Sequence, residues 1–109
     1  MQSNPSYLAY ISDQLSALDG ISHRAMTGEF ILYIHGRIFG GIYDDRLLVK
    51  PTPAARRMMP SAPAELPYPG AKEMLLVEQV DDREFLCALV AAMEAELPEP
   101  KKKIMQSTS

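Results

Sequence analysis

The chain has 109 residues, of which 47% are hydrophobic and 23% are charged, a composition typical of one globular domain with a buried core. It carries 11 Lys and Arg against 14 Asp and Glu, for a net charge of −3, which disfavours strong nucleic-acid binding. The apolar runs are too short to span a membrane, no signal peptide is visible, and the lone Cys87 cannot form an internal disulfide. We therefore expect a cytoplasmic protein that does not contact a membrane.

The first segment predicts a helix. Asn4 is a suitable cap, and Pro5 suits the first helical position because its missing N–H is not needed there. The apolar residues then recur at spacings of three and four: Leu8, Ile11, Leu15 and Leu18. Gly20 is a stop signal, so we expect the helix to extend to Leu18 and to pack this stripe on a sheet.

Residues 21–50 predict a four-stranded antiparallel meander. Its strands are separated by short turn signals: Thr27-Gly28-Glu29, His35-Gly36 and Asp44-Asp45. We interpret Asp44 and Asp45 as turn formers and not as catalytic carboxylates, because a hairpin tip lacks the burial that perturbs paired acids.

Both faces of this meander are apolar. A two-residue turn pairs Leu32 with Phe39 and Phe30 with Gly41 on one face. The opposite face then carries Ile31, Tyr33, Ile38 and Ile42. Helices cover one face, so further chain or another subunit must cover the second. The Gly40-Gly41 pair indicates a β-bulge or the close approach of another element.

Residues 51–70 hold six of the nine prolines. Thr52-Pro53 predicts a short helix that Pro60 ends, followed by a stiff loop that contains Tyr68. The loop is either an ordered crossover or a carrier of binding contacts. Arg56 and Arg57 either bind a phosphate or an acidic partner, or form the solvated face of the short helix.

Residues 73–80 predict a fifth strand, and a last helix begins at Asp81 with a capping-box partner at Glu84. Its buried stripe consists of Phe85, Leu86, Leu89, Val90, Met93 and Leu97. The side of this helix opposite the buried stripe carries Ala88, Ala91, Ala92 and Ala95. These alanines either serve only to favour the helix, or allow a second subunit to approach closely. Residues 1–100 are expected to form one domain, and 101–109 a disordered Lys-rich tail.

The sequence contains no pattern for a metal, nucleotide or hydrolase site. We therefore predict no catalytic, cofactor-binding or metal-binding residues. Cys87 is interpreted as a small neutral filler at a semi-exposed or subunit-facing position.

The order of motifs resembles one family. Tyr7-Leu8 is followed by Gly28-x-Phe30-x-Leu32-Tyr33, Gly36-x-x-Phe39-Gly40, Asp44-Asp45-Arg46-Leu47-x-Val49-Lys50 and Tyr68-Pro69-Gly70. This series resembles the N-terminal domain of the TfoX/Sxy family, named for regulators of bacterial competence. The resemblance implies an α+β sandwich and a non-enzymatic regulatory role without known catalytic residues. Since 109 residues leave no room for the family's second domain, we expect a stand-alone form.

The expected fold is thus α+β, with about five antiparallel strands flanked by N- and C-terminal helices in the order α-β-β-β-β-α-β-α. The expected function is that of a non-enzymatic regulatory or protein-interaction domain, acting as a homodimer. The candidate interaction residues are Ile31, Tyr33, Ile38, Arg56, Arg57 and Tyr68, and the motif hairpin supplies Asp44, Asp45, Arg46 and Lys50. The alternatives are a nucleic-acid-associated regulator, or a small-ligand-binding or enzymatic domain that uses the 51–70 loop.

Overall fold

The computed structural model describes residues 4–99. Its helices and strands follow in the order α1 (Pro5–Gln14), β1 (Ile21–Met26), β2 (Glu29–Ile34), β3 (Arg37–Tyr43), β4 (Arg46–Val49), α2 (Pro53–Met58), β5 (Ala64–Glu65), β6 (Met74–Leu76) and α3 (Arg83–Glu94). The strands form one antiparallel sheet in the order β1-β2-β3-β4-β6-β5. The predicted α+β class is confirmed. The predicted tail, 101–109, lies outside the described residues.

Three two-residue turns connect the first four strands. Thr27-Gly28, His35-Gly36 and Asp44-Asp45 have positive φ at both positions, which is the type I′ geometry that matches the twist of paired strands. Glycine adopts this backbone without a steric penalty, and aspartate tolerates it better than most residues. Asp44 and Asp45 are therefore turn formers, as the sequence predicts.

A β-bulge in β3 changes the predicted faces of the sheet. The register between β2 and β3 shifts at Leu32, which pairs with Gly40 and not with Phe39, and Phe30 pairs with Ile42. The shift brings Phe39 and Ile42 to the same face, where both are completely buried. Ile42 was expected on the second, exposed face, and that expectation is wrong because the bulge inserts one extra residue.

The two glycines after Phe39 explain the tight packing there. A Cβ at Gly40 would lie 2.2 Å from the Leu48 carbonyl oxygen of the adjacent strand. A Cβ at Gly41 would lie 2.7 Å from the Tyr43 ring on the other face. The predicted bulge and the predicted close approach are thus both present.

The hydrophobic core lies between one face of the sheet and the helices, and we call this face the helix-covered face. The sheet contributes Leu32, Ile34, Phe39, Ile42, Leu47, Val49 and Leu75, and the helices contribute Leu8, Ile11, Ala54, Ala55, Leu86, Leu89, Val90 and Met93. The apolar stripes predicted for the first and last helices are therefore the residues that pack on the sheet. Burial of these side chains is the main favourable term in folding.

Helix ends differ from the predicted ones by a few residues. α1 ends at Gln14 and not at Leu18, because the next residues form tighter turns, in which Ser16 N–H donates to the Asp13 carbonyl oxygen and Leu18 N–H to that of Leu15. The buried Gln14 side chain donates a hydrogen bond to the Val80 carbonyl oxygen at 2.8 Å. The cap of α3 is Asp82, which accepts a hydrogen bond from the Phe85 N–H at 3.0 Å, and not Asp81.

The sheet has six strands because the proline-rich segment adds the two-residue strand β5. The predicted strand 73–80 is shorter in the structure, where only Met74–Leu76 is strand, and its Leu75 and Leu76 pair with Val49 and Leu48 of β4.

The thiol of Cys87 faces α1. Its Sγ lies 3.4 Å from the Gln14 carbonyl oxygen, and the residue is half-buried against the core. The interpretation of Cys87 as a small, partly exposed filler fits this placement.

We expect Leu89→Ala to lower the free energy of unfolding by about 2–5 kcal/mol, because Leu89 is completely buried and its truncation leaves a cavity. Urea denaturation followed by circular dichroism measures the change. The control Ala88→Ser, on the exposed side of the same helix, should change stability by less than about 0.5 kcal/mol. Equal effects of the two substitutions would contradict the placement of Leu89 in the core.

Candidate functional site

The face of the sheet opposite the helices, called here the open face, carries a second group of apolar side chains. Strand alternation places Ile31, Tyr33, Ile38, Tyr43 and Leu48 on it. Leu48 and Tyr43 are buried, Ile31 and Tyr33 are half-buried, and Ile38 is 38% exposed. The predicted set of Ile31, Tyr33 and Ile38 therefore shares one surface.

The loop of residues 66–73 lies over part of the open face. Pro67 is buried, and the Tyr68 ring packs against the Tyr43 ring with centroids 6.3 Å apart and planes at 56°. Tyr68 remains 52% exposed. Gly41 makes this arrangement possible, because a side chain there would collide with the Tyr43 ring.

Arg46 holds this loop in place. Its Nη1 donates to the Glu65 carboxylate at 2.7 Å, its Nη2 to the Leu66 carbonyl oxygen at 3.2 Å and its Nε to the Tyr43 carbonyl oxygen at 3.1 Å. The guanidinium thus bridges the β3–β4 hairpin and the start of the loop. Arg46 is part of the motif hairpin, and the structure gives it a positioning role.

Asp45, the neighbouring motif residue, contacts the other side of the molecule. Its carboxylate accepts a hydrogen bond from the Asn4 backbone N–H at 2.7 Å. Asn4 in turn caps α1 by accepting a hydrogen bond from the Ser6 N–H at 2.8 Å. The hairpin tip therefore fixes where α1 begins.

Two depressions flank Tyr68 on the open face. The first, the acidic depression, is lined by Glu29, Asp44, Arg46 and Tyr68 among others. The second, the lysine groove, has a volume of about 390 Å³, and its lining includes Ile38, Tyr43, Lys50, Tyr68, Lys72 and Glu73. Because Tyr68 lines both, its ring separates an acidic region from a basic one.

Four charged side chains in these depressions, Glu29, Asp44, Lys50 and Lys72, form no ion pair within residues 4–99. Within residues 4–99 the ion pairs are His35–Glu94, Arg37–Glu99, Arg46–Glu65 and Arg83–Asp13. None of these pairs contains Glu29, Asp44, Lys50 or Lys72. In the described part of the chain these four charges are thus not neutralised by a direct ion pair.

The pKa of Tyr43 is raised above its ordinary value. Burial of the phenol is the largest cause, and the Glu29 carboxylate and the Tyr68 and Tyr33 hydroxyls add to it. Burial and nearby negative charge both disfavour the tyrosinate anion. The Tyr43 side chain is thus held as a neutral phenol in the lining of the lysine groove.

The structure separates the remaining predicted residues from this surface. Arg56 and Arg57 are exposed on α2, and neither lines the acidic depression or the lysine groove. Sequence reasoning missed Glu29, Tyr43 and Lys72. The face of Tyr43 depends on the bulge, and the position of Lys72 depends on how the loop folds back, so neither has a local sequence signal.

Residues 4–99 contain neither a group of metal-ligating side chains nor a membrane-spanning helix. In this part of the chain, no three His, Cys, Asp or Glu side chains are grouped so that they could hold a metal ion. Within the same residues, no helix is both long enough and apolar enough to cross a membrane.

Comparison with known proteins identifies the family. The pattern of the TfoX N-terminal domain matches residues 13–94, which is more than half of the chain. The chain belongs to the TfoX N-terminal domain family. A relative from Spirochaeta aurantia, described as an uncharacterized 12.7 kDa protein in the trpE 5′ region, is 32% identical to this TfoX domain over 104 residues. The match covers 94% of this chain and 90% of that protein. No solved structure is significantly similar.

We expect Arg46→Met to loosen residues 66–73 of the TfoX domain and to lower the free energy of unfolding by about 1–3 kcal/mol, because three hydrogen bonds are lost. Hydrogen exchange read by mass spectrometry should show faster exchange in this loop. Arg56→Met, which removes an exposed guanidinium from α2, is the matched control. Unchanged exchange in Arg46→Met would show that the guanidinium does not hold the loop.

Tyr43 should make the domain sensitive to alkali. Because its pKa is raised in the folded protein, its contribution to stability is complete below the unfolded value of about 10 and is lost as the pH rises through and above that value. We expect the stability of the wild-type protein, measured by urea denaturation, to fall more steeply as the pH rises above about 10 than that of Tyr43→Phe. Identical slopes would contradict the raised pKa.

Proposed function

We propose that this TfoX domain is a non-enzymatic regulatory domain that acts by binding protein through its open face. The supporting observation is the exposure of Ile38 and Tyr68, at 38% and 52%, on a face that no helix covers. Exposed apolar patches bordered by polar residues mark interaction sites in soluble proteins. Membership of a family named for competence regulators supports the regulatory part, and a cytoplasmic location belongs to the same proposal.

We further infer that the protein bound at this face is a second copy of the chain. Ile31, Tyr33 and Ile38 form an apolar strip that the loop does not cover completely, and two-fold pairing is the commonest way in which such a strip is buried. The exposed alanines on the back of α3, among them Ala91, are the alternative surface for this contact.

One observation favours ligand binding as a second candidate function. The lysine groove has a volume of about 390 Å³, which lies within the range of small-molecule sites, and Lys50 and Lys72 suit a carboxylate ligand with an apolar body. Native mass spectrometry of the freshly purified protein would reveal such a ligand as added mass. A spectrum with the mass of the protein alone would argue against this second function.

We expect sedimentation velocity at micromolar concentration to give the mass of two chains for the wild-type protein. Ile38→Glu should shift the protein to one chain, because a charge in the centre of the apolar strip cannot be buried without a partner. Ala91→Glu, on the exposed back of α3, is the control and should stay dimeric.

Two outcomes would contradict the proposed interface. A wild-type protein of one chain throughout the concentration range would exclude self-association. A dimer that Ala91→Glu dissociates and Ile38→Glu does not would place the interface on the helices.

A further inference from the structure

We propose that the second copy binds the open face around a two-fold axis that runs across the strands, so that the acidic depression of each copy contacts the lysine groove of the other. This inference rests on the proposed self-association and adds the orientation of the two copies. The supporting observation is that the unpaired charges of the acidic depression and those of the lysine groove are separated along the direction of the strands.

The two charged regions are separated along the direction of the strands. Glu29 is the first residue of β2 and Asp44 follows the last residue of β3, and these ends coincide because the strands are antiparallel. Lys50 follows the last residue of β4 and lies level with Phe39, past the middle of β3 and away from the end that carries Glu29 and Asp44. Lys72 lines the same groove as Lys50. The open face is therefore negative at one end and positive toward the other.

This polarity selects one of two symmetric arrangements. When two identical faces pack around a two-fold axis parallel to the strands, each end of one face contacts the same end of the other face. Glu29 and Asp44 of one copy would then lie against Glu29 and Asp44 of the other, and the like charges would repel. When the axis runs across the strands, the negative end of each copy meets the positive end of the other. Charge complementarity of this kind fixes the orientation of an interface, and it is satisfied twice in a two-fold dimer.

The other charges at these depressions leave the polarity intact. Arg46 lines the acidic depression, but its guanidinium is paired with Glu65 at 2.7 Å. Glu73 lines the lysine groove and offsets one of its two lysines. Arg24 lies on β1 opposite Ile31, midway along the strands and outside both depressions. Tyr68, between the depressions, supplies an apolar contact close to the axis.

A pair of charge-reversed variants tests the orientation. The first variant combines Glu29→Lys with Asp44→Asn, since asparagine tolerates the positive φ of 55° at this turn. The second combines Lys50→Glu with Lys72→Glu. Each variant alone brings like charges together at both contacts, and we expect its dimer dissociation constant to rise at least about tenfold. An equimolar mixture of the two restores opposite charges at both contacts.

Native mass spectrometry of the mixture reads the result directly, because a mixed dimer has a mass between those of the two homodimers. We expect the mixed dimer to predominate and to weaken as salt is added. Circular dichroism and the urea midpoint check that each variant is folded. If a double variant does not fold, the single changes Glu29→Lys and Lys72→Glu replace it in the same experiment.

The outcomes separate the two proposals. Variants that dimerise as tightly as the wild type, or that fail to pair with each other while each is monomeric, would overturn the axis across the strands but leave self-association standing. A wild-type protein that is monomeric at every concentration would overturn the self-association on which the inference rests.

Discussion

The bulge at Phe39 places two consecutive residues of β3 opposite Leu32, and the arrangement of the domain depends on this extra residue. It directs both Phe39 and Ile42 to the helix-covered face, where they are completely buried. It also leaves Tyr43 on the open face, with its ring over Gly41. Without the bulge, Ile42 would lie on the open face and the core would lose one of its largest buried side chains.

The family motif at the β3–β4 hairpin has a structural explanation in these contacts. Asp44 and Asp45 supply the left-handed backbone of the turn, Asp45 holds the start of α1, and Arg46 holds the loop that follows β5. One tight turn therefore positions elements on both faces of the sheet. The motif thus supports the open-face surface by positioning the loop that carries Tyr68.

Polar contacts on the helix-covered face complement the apolar core. The His35 imidazole contacts the Glu94 carboxylate at 2.6 Å, and Arg37 donates to the carbonyl oxygen of Leu97 at 3.2 Å. The Tyr10 hydroxyl donates to Asp81, and Arg83 pairs with Asp13 at 3.0 Å. These groups are partly solvated, so each adds little stability. They fix the directions of α1 and α3, and the open face keeps its unpaired charges for a partner.

Local signals in the sequence determined much of this protein. The turn residues predicted three hairpins, and Thr52-Pro53 predicted the start of α2. The spacing of Leu86, Leu89 and Met93 predicted the buried stripe of α3. Each of these features depends on backbone preferences or on periodicity within a few residues. The glycine pair indicated a bulge, but not which residue it would add. Two features were decided only in the tertiary structure. They are the side of the sheet on which Ile42 lies, and the loop that brings Tyr68 onto Tyr43 and Lys72 into the groove lined by Lys50. Each of these depends on contacts between residues far apart in the chain, so no local pattern of residues encodes it.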